Sequence, residues 1–428
     1  MERLTRVRLT LSAMALPALL ALALAGCAGG DQGQHATSTA TSAPGSSTNA
    51  LASWTPATPP AATFALQFAP SEPQTAYLCA IDGPAATPLD HTARLYKSVD
   101  GAKTWGLIRG TPVLRPVASQ ARTPAMCAVF IDAHDARDVF FQQTQLEPEG
   151  AGFAIARALY RSRDGGATWA TLAVPDHTDG FQSLAVYGAR LVARHKPSVL
   201  GATTCESSPG PKPTSLVDAS DDGGQTWQLI GQNLMAQGYL VTDMATAGAA
   251  LFVIAYQVPA SACQQATHWT AFRSDDAGAT WKSTTISESA LASLSFTPRL
   301  DGSGYYGVAL APLDGSGSAQ VDYSTDSGVT WQTEPLLDVS SGGSDPAIAV
   351  ASSGEIYAQA SGANMVYRLA PGASSPAWAP YAAAVNPGQS EASGVWMVEP
   401  LSPNERLWSL EVAYGVTPDA TLAYLPLP

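Results

Sequence analysis

Ser162-Arg163-Asp164-Gly165-Gly166-Ala167-Thr168-Trp169 is the stretch on which the fold turns, because the chain repeats it. The pattern Ser-x-Asp-x-Gly-x-Thr-Trp recurs at Ser220 to Trp227, Ser274 to Trp281 and Ser324 to Trp331. Ser98 to Trp105 follows it with Ala102 in the glycine position, and a degraded copy without the aspartate runs from Tyr367 to Trp378. Trp105, Trp169, Trp227, Trp281, Trp331 and Trp378 are separated by 64, 58, 54, 50 and 47 residues. Repetition at such a period marks a fold assembled from similar units. Each copy follows an alternating stretch, such as Ala158-Leu159-Tyr160-Arg161, and a second strand opens at its tryptophan. In such a hairpin the aspartate accepts hydrogen bonds from turn amides and glycine supplies the turn geometry. The tryptophan is a large apolar plug between neighbouring sheets. Asp100, Asp164, Asp222, Asp276 and Asp326 therefore read as structural. One carboxylate per turn gives too few hard oxygen ligands for calcium.

The motif resembles the Asp-box, or bacterial neuraminidase repeat, of β-propellers such as sialidases, xyloglucanases, sortilin ectodomains and photosystem II assembly-factor-like proteins. The resemblance covers the chain after residue 50 and implies an all-β propeller of four-stranded antiparallel sheets over residues 51–428. It is specific for fold and weak for activity. Inner strands are expected near Phe64, Ala128, Leu184, Val241, Leu294, Ile348 and Trp396, which makes seven blades, with six as the runner-up. The last unit, from Gly394 to Pro428, has room for three strands. Ser53-Trp54-Thr55 is the expected fourth, an N-terminal strand that closes the ring and removes exposed sheet edges.

Composition agrees with this and sets an address. Among 428 residues, 37 glycines and 32 prolines do not suit a helical bundle. A net charge of -13 argues against a nucleic-acid partner, which requires a basic footprint. Residues 1–26 carry Arg3, Arg6 and Arg8, then an apolar run from Leu11 to Leu24, as an export signal does. The run is short for a membrane span. Leu24-Ala25-Gly26-Cys27 resembles a bacterial lipobox, which implies lipidation of Cys27 and an extracytoplasmic, membrane-anchored lipoprotein. Residues 27–50 lack apolar periodicity and read as a flexible tether. Four cysteines remain, an even number that suggests disulfides in an exported protein. Cys205 with Cys263 is the natural pair, on equivalent loops of adjacent blades; Cys79 with Cys127 is the other.

A binding face is expected where the connections between second and third strands are long, on the side opposite the repeated turns. These run about Ile81 to Ala93, Gln143 to Ile155, His195 to Ser215 and Gln257 to Thr270. They contribute His91, Glu147, Phe153, His195, Lys196, His268 and Trp269 as candidates. No catalytic, metal or cofactor site emerges. An exo-sialidase would need an arginine triad, a Tyr/Glu nucleophile pair and an acid/base aspartate, and nothing ahead of Ser98 matches the first arginine motif. There is no Gly-x-Ser-x-Gly elbow with a credible triad, no His-Glu-x-x-His and no phosphate loop. The expectation is a monomeric, non-catalytic binding or scaffold module for a protein or glycan, with an exo-sialidase or related glycoside hydrolase at the channel mouth as the alternative.

Overall fold

The computed structural model describes residues 51–427 apart from 54, 59–61, 83–91, 115–125, 150–151, 176–177, 198–215, 233, 235–236, 258–268, 285, 287–292, 314–317, 339–346, 360–364, 373–375, 384–392, 399–404 and 414–418. Within it, the alternating stretches become seven antiparallel four-stranded sheets. Strand β1 (Thr55–Ala57) is followed by the first blade, β2 (Ala62–Ala69), β3 (Glu72–Asp82), β4 (Thr92–Ser98) and β5 (Gly106–Leu107). The second comprises β6 (Met126–Asp132), β7 (Asp135–Glu149), β8 (Gly152–Ser162) and β9 (Ala170–Leu172). The third comprises β10 (Thr178–Tyr187), β11 (Arg190–Pro197), β12 (Leu216–Ser220) and β13 (Gln228–Ile230). The fourth is β14 (Tyr239–Ala247), β15 (Ala250–Gln257), β16 (Trp269–Ser274) and β17 (Lys282–Thr284). The fifth is β18 (Ser293–Pro298), β19 (Tyr305–Leu313), β20 (Ser318–Ser324) and β21 (Gln332–Asp338). The sixth is β22 (Ala347–Val350), β23 (Ile356–Gln359), β24 (Met365–Leu369) and β25 (Ala379–Ala383).

The seventh blade joins both ends of the chain. Strands β26 (Ser393–Val398), β27 (Arg406–Ala413) and β28 (Asp419–Pro426) take β1 as their outermost partner, with Thr55 opposite Tyr424 and Ala57 opposite Leu422. The closing strand is thus two residues further along than the expected Ser53-Trp54-Thr55. Pro56 suits this position, because an outermost strand leaves one row of backbone groups unpaired. First strands of successive blades contact one another around the ring, and β2 contacts β27 and β28. The molecule is a seven-bladed β-propeller.

The core lies in the seams between blades. Each repeat tryptophan packs into the seam between its own blade and the preceding one. Trp169 joins Leu95 and Ile108 of the first blade to Val129 and Phe141 of the second. Trp227, Trp281, Trp331 and Trp105 do the same at their seams, and so does Trp378 of the degraded copy. Removing half of an indole from water contributes about 2–3 kcal/mol. The seam between the sixth and seventh blades is closed instead by Tyr381, Leu427 and Ala52 against Tyr357, Leu407 and Leu425.

The Gln143–Ile155 segment is not the long loop that its composition suggests. It is a continued hairpin, with Glu147 opposite Ala154 and Pro148 opposite Phe153. The His195–Ser215 loop also begins later than expected, because β11 continues through His195 to Pro197.

Candidate functional site

The two ends of the ring differ in what their side chains are already doing. At one end are the repeated turns. In each of the five intact copies the serine hydroxyl donates to the aspartate and accepts an amide proton from the residue four positions on, for example Ser274 Oγ to Asp276 Oδ1 at 2.7 Å and Gly278 N to Ser274 Oγ at 2.7 Å. The aspartate then accepts from the threonine hydroxyl at 2.6 Å and from the threonine amide, as Asp276 does from Thr280. The same set holds Asp100, Asp164, Asp222 and Asp326. These hydrogen bonds lower the Asp276 carboxyl to about 2, the Thr280 hydroxyl contributing most, followed by the Thr280 amide and the Ser274 hydroxyl.

Arginines complete this face. In four of the five intact copies the fourth residue offers its carbonyl to a cation from the preceding blade. Arg406 Nη2 donates to Gly101 O at 2.6 Å, Arg161 Nη1 to Gly223 O at 3.4 Å, Arg190 Nε to Ala277 O at 2.9 Å and Arg273 Nη1 to Ser327 O at 2.6 Å. Arg161 is buried, paired with both oxygens of Asp138 at 2.8 and 2.6 Å, and lies over the Phe140 ring. Arg161 and Arg273, next to the repeats in sequence, therefore bind blade to blade.

At the other end the expected binding residues are dispersed. Glu147 and Phe153 stand on β7 and β8, Lys196 near the end of β11, and Trp269 at the start of β16 opposite Tyr256. His91, His268, Cys27, Cys205 and Cys263 lie outside the described residues. His195 is not a loop residue. Its side chain is fully buried, Nε2 stands 2.9 Å from Asp218 Oδ2 on β12, and its ring meets Phe181 edge-on at 5.9 Å. Cys79 and Cys127 form a disulfide, Cα atoms 6.2 Å apart, that joins β3 of the first blade to β6 of the second.

That disulfide belongs to a series that the sequence does not announce. Counting along the second strand from the residue opposite the repeat serine, the third position is Cys79, Gln142, Arg194, Ile254 and Leu310 in blades one to five. At each of these positions a side chain reaches the next blade, by different chemistry. Cys79 does so covalently. Gln142 donates to Phe181 O at 3.0 Å and accepts from Phe181 N at 2.6 Å. Arg194 Nη2 lies 3.9 Å from Asp243 Oδ1. Ile254 and Leu310 pack apolar seams with Leu294 and Ile348.

At the same height three inner strands break register. The shifts fall at Phe64 in β2, Gln182 in β10 and Thr242 in β14, while β6 and β18 show no shift there. A bulge bends the strand and redirects its neighbours. In the fourth blade the neighbour is Asp243, whose side chain is 39% exposed while Arg194 is 12% exposed. Asp243 accepts from the Met244 amide at 2.8 Å. Burial raises its carboxyl above the ordinary range, against the opposing effect of Arg194, and burial likewise lowers the guanidinium. Ser183 stands directly opposite Arg194 on β10. Ser183 Oγ and Arg194 Nε are buried polar atoms with no hydrogen-bond partner among the described residues. Ser183, Arg194 and Asp243 thus place two donors and a carboxylate in the seam between the third and fourth blades. Among the described residues, no three His, Cys, Asp or Glu side chains are grouped to hold a metal ion.

No family model matches the chain, and no curated protein matches it. Among solved structures it is similar to YCF48 from Cyanidioschyzon merolae, at 12% identity and a TM-score of 0.48 over 87% of this chain and 99% of that one. It is also similar to the Penicillium chrysogenum α-L-arabinanase complexed with arabinobiose, at 12% identity and a TM-score of 0.44 over 88% and 97% of the two chains. The Hadza microbial sialidase Hz136 is similar at 11% identity and a TM-score of 0.44, over 86% and 65%. These are likenesses of fold.

Proposed function

We propose that this protein is an extracytoplasmic binding or scaffold module, anchored by a lipid on Cys27, that engages a protein or glycan without chemical turnover. The observation that carries this reading is the division of labour between the two ends of the ring. Every described repeat aspartate is committed to its own turn, and Arg161, Arg190, Arg273 and Arg406 are committed to seams. The opposite end carries the connections between second and third strands, the place where a rigid propeller can vary its loops freely. Replacing residues 198–215 by a short Gly-Ser linker tests the reading. Retention on a glycan array, or of a cross-linked envelope partner, should fall at least tenfold while the melting temperature stays unchanged. Unchanged retention would count against this face.

A glycoside hydrolase is the second reading, and Asp243 is the observation that favours it, a partly exposed carboxyl held above its usual range. Its charged neighbour is a cation rather than the second carboxylate that glycoside hydrolysis uses. Fluorogenic sialosides and arabinosides incubated with the purified protein decide between the two. Turnover abolished by Asp243→Asn would replace the binding reading.

A further inference from the structure

We infer that the outer edge of β8, over residues 152–156, takes an extended basic segment of another protein as an added β-strand. The inference rests on the binding reading above and names the partner class at one place on that end of the ring.

The registers show where the edge is open. β7 and β8 pair without a break from Val139 opposite Ser162 to Glu149 opposite Gly152. Their neighbours stop earlier. β6 accompanies β7 only as far as Thr144, and β9 accompanies β8 only over Leu159, Tyr160 and Arg161. Among the described residues, no third strand pairs with residues 145–149 or 152–156. The fifth blade is the contrast, since β21 follows β20 back to its first residue, Ser318 opposite Asp338.

The two edges of this ribbon differ. In an antiparallel ladder, directly opposite residues exchange both backbone hydrogen bonds or neither. Pro148 has no N–H to exchange, so its pair with Phe153 exchanges neither. Phe153 therefore turns its N–H and C=O away from β7, and by alternation so does Ile155. On β7 the same geometry points the Pro148 nitrogen outward, which takes a donor from that edge. Proline, charge and bulges are the devices that keep edge strands from pairing. Residues 152–156, Gly-Phe-Ala-Ile-Ala, have no proline, no charge and no register shift.

Main-chain donors and acceptors at strand spacing are matched by another extended chain, the mode of recognition in which backbone bonds supply affinity. Charge then selects the chain. Glu147 and Glu149 stand one strand away, and the whole molecule carries a net charge of -13. A second copy is repelled and a basic segment is attracted.

The test titrates the purified full chain with a short peptide alternating valine and lysine, followed by NMR. Two controls are a version with glutamate for lysine and a version methylated on its central backbone amides. The lysine peptide is expected to bind with a Kd of about 0.1–1 mM, and the glutamate peptide about fivefold more weakly. With the lysine peptide bound, the Phe153 and Ile155 amides should exchange with solvent about tenfold more slowly, while Ala154, already in the ladder, should not change. Methylation of the peptide and Ile155→Pro should each weaken binding about tenfold. Ile155 directs its N–H outward, so the proline removes no bond from the β7–β8 ladder. Should it nonetheless lower the melting temperature, the methylated peptide decides. No binding of the lysine peptide, equal binding of the methylated one, or preference for glutamate would each overturn the assignment. Self-association of the chain that Ile155→Pro abolishes would overturn it too, by making the occupant a second copy. Partner retention lost on replacing residues 198–215, without peptide binding at β8, would leave the loop-face reading standing and remove this edge. Peptide binding at β8 with retention unchanged by that replacement would keep the edge and remove that loop.

Discussion

Asp276 shows how one side chain holds a blade edge. Its carboxyl is lowered to about 2 by the Thr280 hydroxyl first, then by the Thr280 amide and the Ser274 hydroxyl. An unfolded aspartate titrates near ~3.9, so the folded group is the stronger acid. The stabilisation is therefore fully present above about pH 4 and is lost as pH falls through about 2. Thr280→Val deletes the hydroxyl donor. Carboxyl NMR titration should show Asp276 moving back up toward the unfolded value. The stability curves of variant and wild type should separate above about pH 4 and converge at lower pH. Coincident curves at neutral pH would mean that the turn does not use the carboxylate. A second contrast at this scale separates backbone strain from crowding. Gly188 (φ +68°) and Gly224 (φ +98°) both lie in the left-handed region. A Cβ on Gly188 would meet nothing within 4 Å, whereas one on Gly224 would stand 2.7 Å from Leu172 Cδ1 of the preceding blade. Gly188→Ala should cost about 1 kcal/mol and Gly224→Ala about 2–4 kcal/mol in urea denaturation. Ala102 stands at the position equivalent to Gly224, with φ 62°, in the seam that packs it with Ala57 and Leu422 of the seventh blade.

At the scale of strands and seams, the sequence reveals what is local and hides what depends on height within the ring. The repeats specify their own turns through contacts two to four residues apart, so each intact box is readable from its letters. Gln142 offers no such clue. Two successive glutamines resemble a polar surface, and Gln-Leu-Glu-Pro-Glu-Gly lacks the alternation of a strand. Yet Gln142 and Gln143 are both buried. Gln143 holds the connection after the first blade, donating to Pro112 O at 2.5 Å and accepting from Leu114 N at 2.8 Å. The tie at Arg194 is hidden for the same reason, since it needs the Thr242 bulge to bring Asp243 into place, and a bulge has no fixed letter code here. His195 reads as a loop residue because Pro197 and the Gly/Ser/Pro-rich stretch beyond it suggest an early strand end. Gln142→Leu tests what a hydrogen-bonded tie contributes. It keeps much of the side-chain volume but leaves the buried Phe181 amide and carbonyl without these partners. Loss of both should cost about 2–4 kcal/mol in chemical denaturation. A neutral substitution would show that the backbone of β10 finds other partners by relaxing.

For the whole molecule, the decisive feature is that a ring has one seam that chain connectivity does not close. Six of the transitions between blades are covalent by sequence, while the seventh blade is made of β26 to β28 and an N-terminal strand of only three residues. The closing contacts are few: the pairing of Thr55, Pro56 and Ala57 with β28, the Ala52 amide donating to Tyr381 O at 2.8 Å, and the packing of Ala52 in the last seam. Their value exceeds their number, because without them β28 presents an unpaired edge and the ring is held shut by side-chain packing and the Arg406 contact to Gly101 O. Deleting residues 51–57 should therefore cost about 3–5 kcal/mol, counting roughly 1 kcal/mol for each lost backbone hydrogen bond and the rest for exposed apolar surface. It should also turn the β28 edge into a docking strand for a second copy. Denaturation midpoints together with size-exclusion chromatography would read both effects. The full chain should melt cooperatively, and the deletion should melt earlier and self-associate in proportion to concentration. A deletion variant that keeps both its midpoint and its elution volume would show that the seams hold the circle without a latch. The arginine contact from Arg406 to Gly101 would then be the first place to look for the force that replaces it.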